Sequence, residues 1–299
     1  MATTQTNTLA NTLQAAIGSE LIQEVRENAI IVEFTDFSEL QQGSKSHGFA
    51  YLSSTMSLSA ITSGANEADV NTPAAVSATV VTCTPAVKAA FVVQSWLSIR
   101  TSMVNWKVEV PKIMGRAAAD LMDVDAGALL ATFNTTVGSS GVDCTLADLR
   151  SAVLSLRTGA KGAAGSAVFI LHPQQVDDVD ADITGGTGPA LSNVMSRSDF
   201  VNWYGAAPGS GMLNSFRGGL MGIPVFTSNN VPTANGAADR AGALFIPKMA
   251  LGGKYCWLPK LDEVSAIVAY IVGDVTAITC AYAFVEKFDA YGVSVITDA

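Results

Sequence analysis

The spacing of apolar residues predicts a chain that combines many short strands with a few helices. Strand-type alternation or short apolar runs occur at Val76–Thr82, Val87–Val93, Ala167–Leu171, Leu220–Thr227 and Ala243–Ile246. From residue 264 to the end strand-type residues dominate, with turns expected at Gly273-Asp274 and near Asp289–Gly292. This mixture predicts an α+β fold.

Helical spacing is clearest in a long segment from about Trp106 to Phe133. Pro111 falls in its first turn, where a missing N–H costs least. Arg116 and Asp120 form an i,i+4 pair on one side. The other side carries an apolar stripe of Val110, Ile113/Met114, Ala117, Leu121, Val124 and Ala128. At about 1.5 Å per residue the helix would be about 40 Å long, which suits a structural strut.

Shorter helices are predicted on either side of the strut. Leu21, Ile22, Val25 and Ala29 follow helical spacing and lead into a strand expected near Ile30–Phe34. Thr145 and Asp148 form a capping-box pattern that opens an amphipathic helix of Leu146, Leu149, Val153 and Leu156, ending at Gly159. A short acidic helix with Asp177, Asp178, Asp180 and Asp182 follows His172-Pro173.

Two segments have too little apolar pattern to fold alone. Residues 1–19 are uncharged and rich in Thr, Asn, Gln and Ala; with no basic n-region they do not resemble a signal peptide. Residues 37–85 predict a long two-stranded excursion with a loose tip. An isolated hairpin is marginal in water, so we expect this one to need a partner surface.

Composition adds that the surface is unusually poor in charge. The chain has 299 residues, of which 49% are hydrophobic and 14% charged, against about a quarter charged in an average soluble domain. The net charge is −9, and Lys107, Lys112 and Arg116 are interleaved with Glu109 and Asp120. A duplex-binding protein normally shows a basic footprint, so direct nucleic-acid recognition is disfavoured. Much of the outside is expected to be covered by something else.

Metal, cofactor and membrane chemistry find little support in the residues. The cysteines, Cys83, Cys144, Cys256 and Cys280, are isolated, and with two histidines they do not form a zinc pattern but suit a reducing compartment. There is no P-loop, dinucleotide fingerprint or nucleophile elbow, and we expect no cofactor. The apolar run Val264–Val285 predicts two strands rather than a membrane span, because Asp274 lies within it.

One enzymatic alternative remains open at His172. This histidine ends a predicted strand, and Asp177 and Asp178 are close in sequence. A general base there would need a nucleophile or carboxylate partner, whereas a His-Pro pair closing a strand is usually a turn. An enzyme is therefore the weaker hypothesis.

Four sequence pieces in order resemble the major capsid proteins of tailed bacteriophages, the fold first described for phage Hong Kong 97. They are the helix opened by Thr145-Leu-Ala-Asp-Leu-Arg, Ala167-Val-Phe-Ile-Leu-His-Pro173, Gly218-Gly-Leu-Met-Gly-Ile-Pro-Val-Phe-Thr-Ser228 and Ala243-Leu-Phe-Ile with Lys248-Met-Ala-Leu. The preceding polar arm, low-charge hairpin and long helix complete the likeness.

The resemblance implies a division of the chain. It places an N-arm at 1–36, an E-loop at 37–85, a P-domain at 86–135 (spine helix about 106–133) and 259–299, and an A-domain at 136–258. It implies a virion subunit that forms hexamers and pentamers around double-stranded DNA, with assembly in the host cytoplasm. Scaffolding, portal and cement proteins are the implied partners, and the subunit is not an enzyme.

Candidate inter-subunit contacts follow from this reading. They are Phe49, Tyr51, Met56, Leu58, Arg116, Asp120 and Trp203. Some relatives weld their subunits with a Lys–Asn isopeptide bond; Lys45 would be the lysine, but no Asn follows Asn235, so a non-covalent shell is expected. An encapsulin, a nanocompartment shell of the same fold, is the near alternative, although the Thr/Asn-rich start is poor for the N-terminal helix expected there.

Overall fold

The computed structural model describes residues 29–52, 78–95, 97, 101, 106–159, 166–185, 215–268 and 271–298. In these residues the helices are α1 (Trp106–Gly127), α2 (Leu146–Gly159) and α3 (Pro173–Gly185). The strands are β1 (Asp36–Glu39), β2 (His47–Leu52), β3 (Ala78–Cys83), β4 (Ala86–Ser95), β5 (Thr136–Val137), β6 (Val168–Leu171), β7 (Phe216–Leu220), β8 (Ile223–Thr227), β9 (Thr233–Ala234), β10 (Asp239–Phe245), β11 (Leu251–Val268), β12 (Ile271–Glu286) and β13 (Gly292–Asp298). Short 3-10 helices lie at Ile31–Phe34, Ala128–Ala131, Asn235–Ala237 and Asp289–Tyr291. The expected α+β mixture is confirmed.

A four-stranded sheet carries α1 on one face. Its strand order is β1-β11-β12-β4, with β12 antiparallel to both neighbours and β1 parallel to β11. Side chains of one face of β12 are buried against the helix. The contacts join Val110, Met114 and Ala118 to Ile278, and Met122 to Cys280 and Tyr282. The long helix α1 thus packs lengthwise against this four-stranded sheet.

A second, larger sheet contains most of the remaining strands. Its order is β5-β13-β10-β6-β8-β7, with β9 paired to the start of β10. Alternate residues of β6 enter two different clusters, because successive strand side chains point to opposite faces. Phe169 and Leu171 pack with α2, whereas Val168 and Ile170 pack with Ile31, Phe34 and Phe226.

The beginning of α2 confirms the capping box. Thr145 N and Thr145 Oγ1 donate to Asp148 Oδ2 at 3.1 and 2.6 Å, and Asp148 N donates to Thr145 Oγ1 at 3.3 Å. The helix then buries Leu149, Val153 and Leu156 as its spacing predicts. The sequence alone predicted this helix start because all donors and acceptors of the capping box lie within one helical turn.

Several element boundaries differ from the predictions. Ile31–Phe34 is a 3-10 helix and not a strand. Residues 220–227 contain a hairpin turn between β7 and β8, because Met221 and Gly222 both have positive φ, as a type I′ turn requires. Gly273-Asp274 is paired within the β11–β12 ladder, and the connection lies between Val268 and Ile271.

The structure also defines where the long helix ends and which sheet the last strand joins. α1 ends at Gly127 and continues as a 3-10 turn, short of Phe133. β13 pairs along β10, so the final strand belongs to the larger sheet and does not join β11 and β12. Apolar alternation predicts that a strand exists but carries no information about which sheet it completes.

The apolar stripe predicted for the long helix is mostly not the side that the fold buries. Of its members only Val110 and Met114 are buried, while Ile113, Ala117, Leu121, Val124 and Ala128 are exposed. The buried positions are Val110, Pro111, Met114, Gly115, Ala118, Ala119, Met122, Asp123, Ala126 and Gly127. The helix is apolar on two adjoining sides, and small alanines on one of them allow the sheet to approach closely.

Candidate assembly surfaces

The β2–β3 hairpin is anchored to the rest of the chain through Phe49. The ring lies 5.1 Å from Lys287 Nζ, 5.6 Å from Lys254 Nζ and 4.8 Å from the ring of His47. Its exposed fraction is only 8%. Phe49, expected to contact another subunit, is therefore a contact within its own chain.

Gly252 explains how that ring fits. A Cβ at this position would lie 3.0 Å from Phe49 Cζ and closer still to the Lys287 side chain. A glycine inside a strand often marks such a close approach, so Gly252-Gly253 was the sequence signal that could have located this contact.

The other predicted contact residues fall into two groups. Arg116 and Asp120 are both exposed on α1. Tyr51 lies in β2 opposite Thr79, but its side chain is outside the described part of the chain. Met56, Leu58 and Trp203 also lie outside the described residues.

Among the described residues, an exposed apolar surface that was not predicted from the sequence lies on β4. Lys88 pairs with Asp125 of α1, so the even-numbered residues of β4 face the helix. Val87, Phe91 and Val93 therefore point away from it, and we name these three residues the β4 face. Phe91 is 73% and Val87 65% exposed. In the described sheet β4 is the edge strand, next to β12.

A polar cluster fixes β4 against α1 from behind. Asp125 accepts hydrogen bonds from Lys88 Nζ and, at 2.5 Å, from Tyr282 Oη, and Lys88 Nζ lies 4.7 Å from the centre of the Tyr282 ring. Burial, followed by the hydrogen bond to Asp125, raises the pKa of Tyr282. The phenol therefore stays protonated and donates to Asp125, which links β12 to α1.

A second buried carboxylate joins the layers. Asp123 of α1 accepts hydrogen bonds from Ile31 N (2.6 Å), Asn230 Nδ2 (3.1 Å) and Ser228 Oγ (3.2 Å). Burial raises its pKa, and these hydrogen bonds oppose the shift. The group connects the entry of the chain, the long helix and the turn that follows β8.

The surroundings of His172 are those of a helix start. His172 Nδ1 accepts from Gln174 N at 3.4 Å, and His172 N donates to Gln175 Oε1 at 3.0 Å. Burial lowers the pKa of the imidazole. The contacts described for this histidine join it to α3 and not to a nucleophile, so the geometry offers no support for a general base.

The described residues contain no group of three or more His, Cys, Asp or Glu side chains arranged to hold a metal ion. None of the helices in that part of the chain is long and apolar enough to span a membrane.

Comparison with known proteins identifies the fold. No protein-family model and no curated protein sequence matches the chain. Among solved structures, the capsid of cyanophage P-SCSP1u is similar over 91% of this chain and 89% of that chain, with 14% identity and a TM-score of 0.62. The mature capsid of bacteriophage PhiM1 is similar over 90% and 87%, with 14% identity and a TM-score of 0.63. The encapsulin of Synechococcus elongatus is similar over 90% and 87%, with 13% identity and a TM-score of 0.59. The chain therefore has the fold of phage capsid proteins, as its sequence resemblance implies, and encapsulins share that fold.

Proposed function

We propose that this chain is the structural subunit of a closed, icosahedral viral capsid, a major capsid protein that encloses double-stranded DNA. The observation that carries the proposal is the similarity of about nine tenths of the chain to shell-forming capsid proteins. A likeness over the whole fold is more informative than one over a common motif, but function still depends on surfaces. The β4 face supplies the surface.

The β4 face is suited to association between subunits. Exposed apolar patches on a folded domain mark interaction sites, and Phe91 is the kind of large aromatic residue that dominates binding energy. In the proposed shell the β4 face of one copy would meet a different surface of its neighbour, which makes the contact heterologous. Such contacts close into rings, here hexamers and pentamers.

The chain would be divided as the resemblance implies. Residues 1–36 would form the N-arm, 37–85 the E-loop and 136–258 the A-domain. The P-domain would comprise 86–135, with α1 as its spine, and 259–299. The segments that cannot fold alone would gain order on neighbouring subunits, at a cost in entropy that the added contact offsets.

The shell would be held together by non-covalent contacts. No Asn follows Asn235, so Lys45 lacks the partner for a Lys–Asn weld in the C-terminal strands. A separate scaffolding protein, a portal and cement proteins would then assist assembly in the host cytoplasm. The acidic net charge of −9 would keep the wall from adhering to packaged DNA. Catalysis forms no part of this proposal.

An encapsulin-type nanocompartment is the second candidate, because an encapsulin shell shares the fold. The two candidates differ in contents: a capsid purified from its native source holds DNA, and a nanocompartment holds a cargo protein. Nuclease-protected nucleic acid in native particles would favour the first, and a co-purifying enzyme without DNA the second.

The β4 face provides the test of assembly. We expect Phe91→Ser and Val87→Ser each to raise the protein concentration needed for half-assembly by about tenfold or more, measured by sedimentation velocity. Val142→Ser is the matched control, since Val142 is similarly exposed on a loop. The thermal unfolding of all three variants should stay close to that of the parent. Normal assembly of both β4 variants would remove this surface from the proposal.

A further inference from the structure

An asparagine that is followed directly by glycine lies at the surface of the larger sheet. Asn235 and Gly236 form part of the turn between β9 and β10, and both residues are exposed. Their φ angles are 47° and 75°, left-handed conformations that asparagine and glycine tolerate better than most residues. Apart from its chain neighbours, no described atom lies within 4 Å of the place of a Cβ on Gly236. The turn is therefore open to water at the Asn235–Gly236 peptide bond.

This dipeptide carries the chemistry of spontaneous deamidation. The peptide nitrogen of Gly236 can attack Cγ of Asn235, which forms a five-membered succinimide ring and releases the side-chain nitrogen, together with the peptide proton, as ammonia. One water molecule then opens the ring at either carbonyl and leaves an aspartate or an isoaspartate. A side chain on the following residue hinders the attack, so glycine is the most reactive neighbour. Among the asparagines of the sequence, only Asn235 is followed by glycine.

The Asn235 side chain takes part in a buried connection between two loops. Its Nδ2 donates to Asp239 Oδ2 at 2.6 Å, and the other oxygen of that carboxylate accepts from Gly141 N at 3.1 Å. Asp239 is fully buried. Hydrogen bonds from Ser140, Asn235 and Gly141 lower the pKa of Asp239, so its carboxylate is charged at neutral pH. Asp239 thus joins the β9–β10 turn to residues 139–142, which lie between β5 and α2.

Deamidation would turn this attraction into a repulsion. An ionised carboxylate at position 235 has no proton to donate, and it would face the charged Asp239 at hydrogen-bond distance. Asp239 already has an acidic neighbour, because Asp298 is its cross-strand partner on β13, and like charges in such a pair are destabilising. The new carboxylate would add to this repulsion. The contact between Asp239 and the loop at Gly141 would weaken as a result.

We propose that Asn235 is a site of spontaneous deamidation in the folded chain, and that its conversion releases residues 139–142 from the β9–β10 turn. The reaction consumes only water and adds one negative charge to each converted chain. Because water does not restore the amide, the converted fraction increases with the age of the protein. The proposal concerns a single chain and does not depend on shell formation.

Peptide mapping of aged full-length protein tests the site. The protein is held at pH 8 and digested after increasing times, and the mass gain of an acid over an amide is assigned to individual asparagines. We expect Asn235 to convert at least about tenfold faster than Asn134, an exposed asparagine that is followed by threonine. Both aspartate and isoaspartate should appear at position 235, because the succinimide opens in two ways. Conversion of Asn235 no faster than that of Asn134 would overturn the proposal.

Asn235→Asp tests the consequence separately, because it introduces the carboxylate without ageing. We expect the amide of Gly141, which donates to Asp239, to exchange with solvent at least about tenfold faster in this variant than in the parent. Asn134→Asp is the matched control, since it adds the same charge at an exposed position and should leave the exchange of the Gly141 amide unchanged. Equal exchange of that amide in the parent and in Asn235→Asp would overturn the proposed release of residues 139–142, whatever the rate of deamidation.

Discussion

Asp123 Oδ1 accepts a hydrogen bond from Ile31 N at 2.6 Å, across 92 positions of sequence. The other carboxylate oxygen accepts from Ser228 Oγ and Asn230 Nδ2, at 3.2 and 3.1 Å. Three donors from two separate segments thus meet one buried acid on α1. The Asp123 carboxylate therefore joins the segment at Ile31 and the turn after β8 to the long helix α1.

The first prediction concerns the loss of this acid. Asp123→Ala should lower the free energy of unfolding by about 2–4 kcal/mol, because it leaves buried donors without an acceptor. Urea denaturation followed by tryptophan fluorescence measures the change. Asp120→Ala, at an exposed position of the same helix, is the control and should change stability by less than about 0.5 kcal/mol. Equal effects of the two substitutions would refute a structural role for Asp123.

The second prediction is a pH dependence with a defined sign. Burial raises the pKa of Asp123 in the folded chain above the ordinary value of 3.8. Between these two pKa values the folded state holds the proton and the unfolded state does not. The contribution of Asp123 to the free energy of unfolding is therefore fully present below pH 3.8 and is lost as the pH rises through the pKa of the folded state.

Comparison with a variant isolates this contribution. Asp123→Asn removes the titrating group. As the pH rises through the range between the two pKa values, the free energy of unfolding of the parent should therefore fall relative to that of the variant. Asp178 and Glu286, whose pKa values burial also raises, are present in both proteins and cancel. A difference that is constant between pH 3.5 and 7 (roughly the span over which a perturbed carboxyl titrates) would contradict the assignment.

The third prediction concerns Gln175, the buried amide of α3. Its Nε2 donates to Thr297 Oγ1 (2.8 Å), Arg240 O (3.1 Å) and Val295 O (3.2 Å), and its Oε1 accepts from His172 N (3.0 Å). Gln175→Ala should destabilise the chain by about 2–3 kcal/mol, because it removes the buried amide that bonds β10, β13 and the start of α3 together and leaves a cavity in its place. The exposed neighbour Gln174→Ala is the control in the same thermal unfolding experiment. If both variants melt together, the amide does not join α3 to the sheet.

The fourth prediction is steric and concerns Gly292. A Cβ there would lie 2.2 Å from Phe133 Cε1, although the backbone (φ −135, ψ 150) suits any residue. Gly292→Ala should therefore destabilise the chain by about 1–3 kcal/mol through overpacking alone. Combining it with Phe133→Leu should cost less than the sum of the two single changes, which a double-mutant cycle measures. Strict additivity would mean that the two positions do not meet.

The fifth prediction distinguishes the four thiols. Cys256 is exposed, whereas Cys83, Cys144 and Cys280 are buried. Burial raises the pKa of all three, that of Cys144 to about 12. An aromatic disulfide reagent at pH 8 should react rapidly with one thiol per native chain, since thiolate and access are both required. Cys256→Ser should abolish the fast phase; a fast phase that persists in this variant would contradict the arrangement.

Local signals in the sequence were sufficient where all partners lie close together. Thr145 and Asp148 cap a helix within one turn, and His172-Pro173 opens another, so both were predictable. The order of low-charge hairpin, long helix and Gly218–Ser228 strand also pointed to the capsid fold, and the structural similarities confirm it. The order of these segments along the chain is informative because it follows from the topology of the fold and does not depend on individual side-chain contacts.

Contacts between distant residues were not predictable in this way. α1 is apolar on two sides, and its sequence does not say which one meets the sheet; the stripe containing Leu121 and Val124 was therefore assigned wrongly. Phe49 was predicted as an inter-subunit contact, and its partners within the chain, Lys254 and Lys287, were not foreseen because they lie more than 200 positions away in sequence. Asp123 offered only one signal, an acid placed between Met122 and Val124. Its donors became visible only in the folded chain.

The mass of the purified chain tests the central claim most directly. Mass photometry and cryo-electron microscopy of the full-length protein at micromolar concentration should show pentamers, hexamers or closed shells in which the β4 face is covered by a neighbouring copy. A single species with the mass of one chain, with Phe91 still open to solvent, would contradict the claim that this protein is a shell subunit.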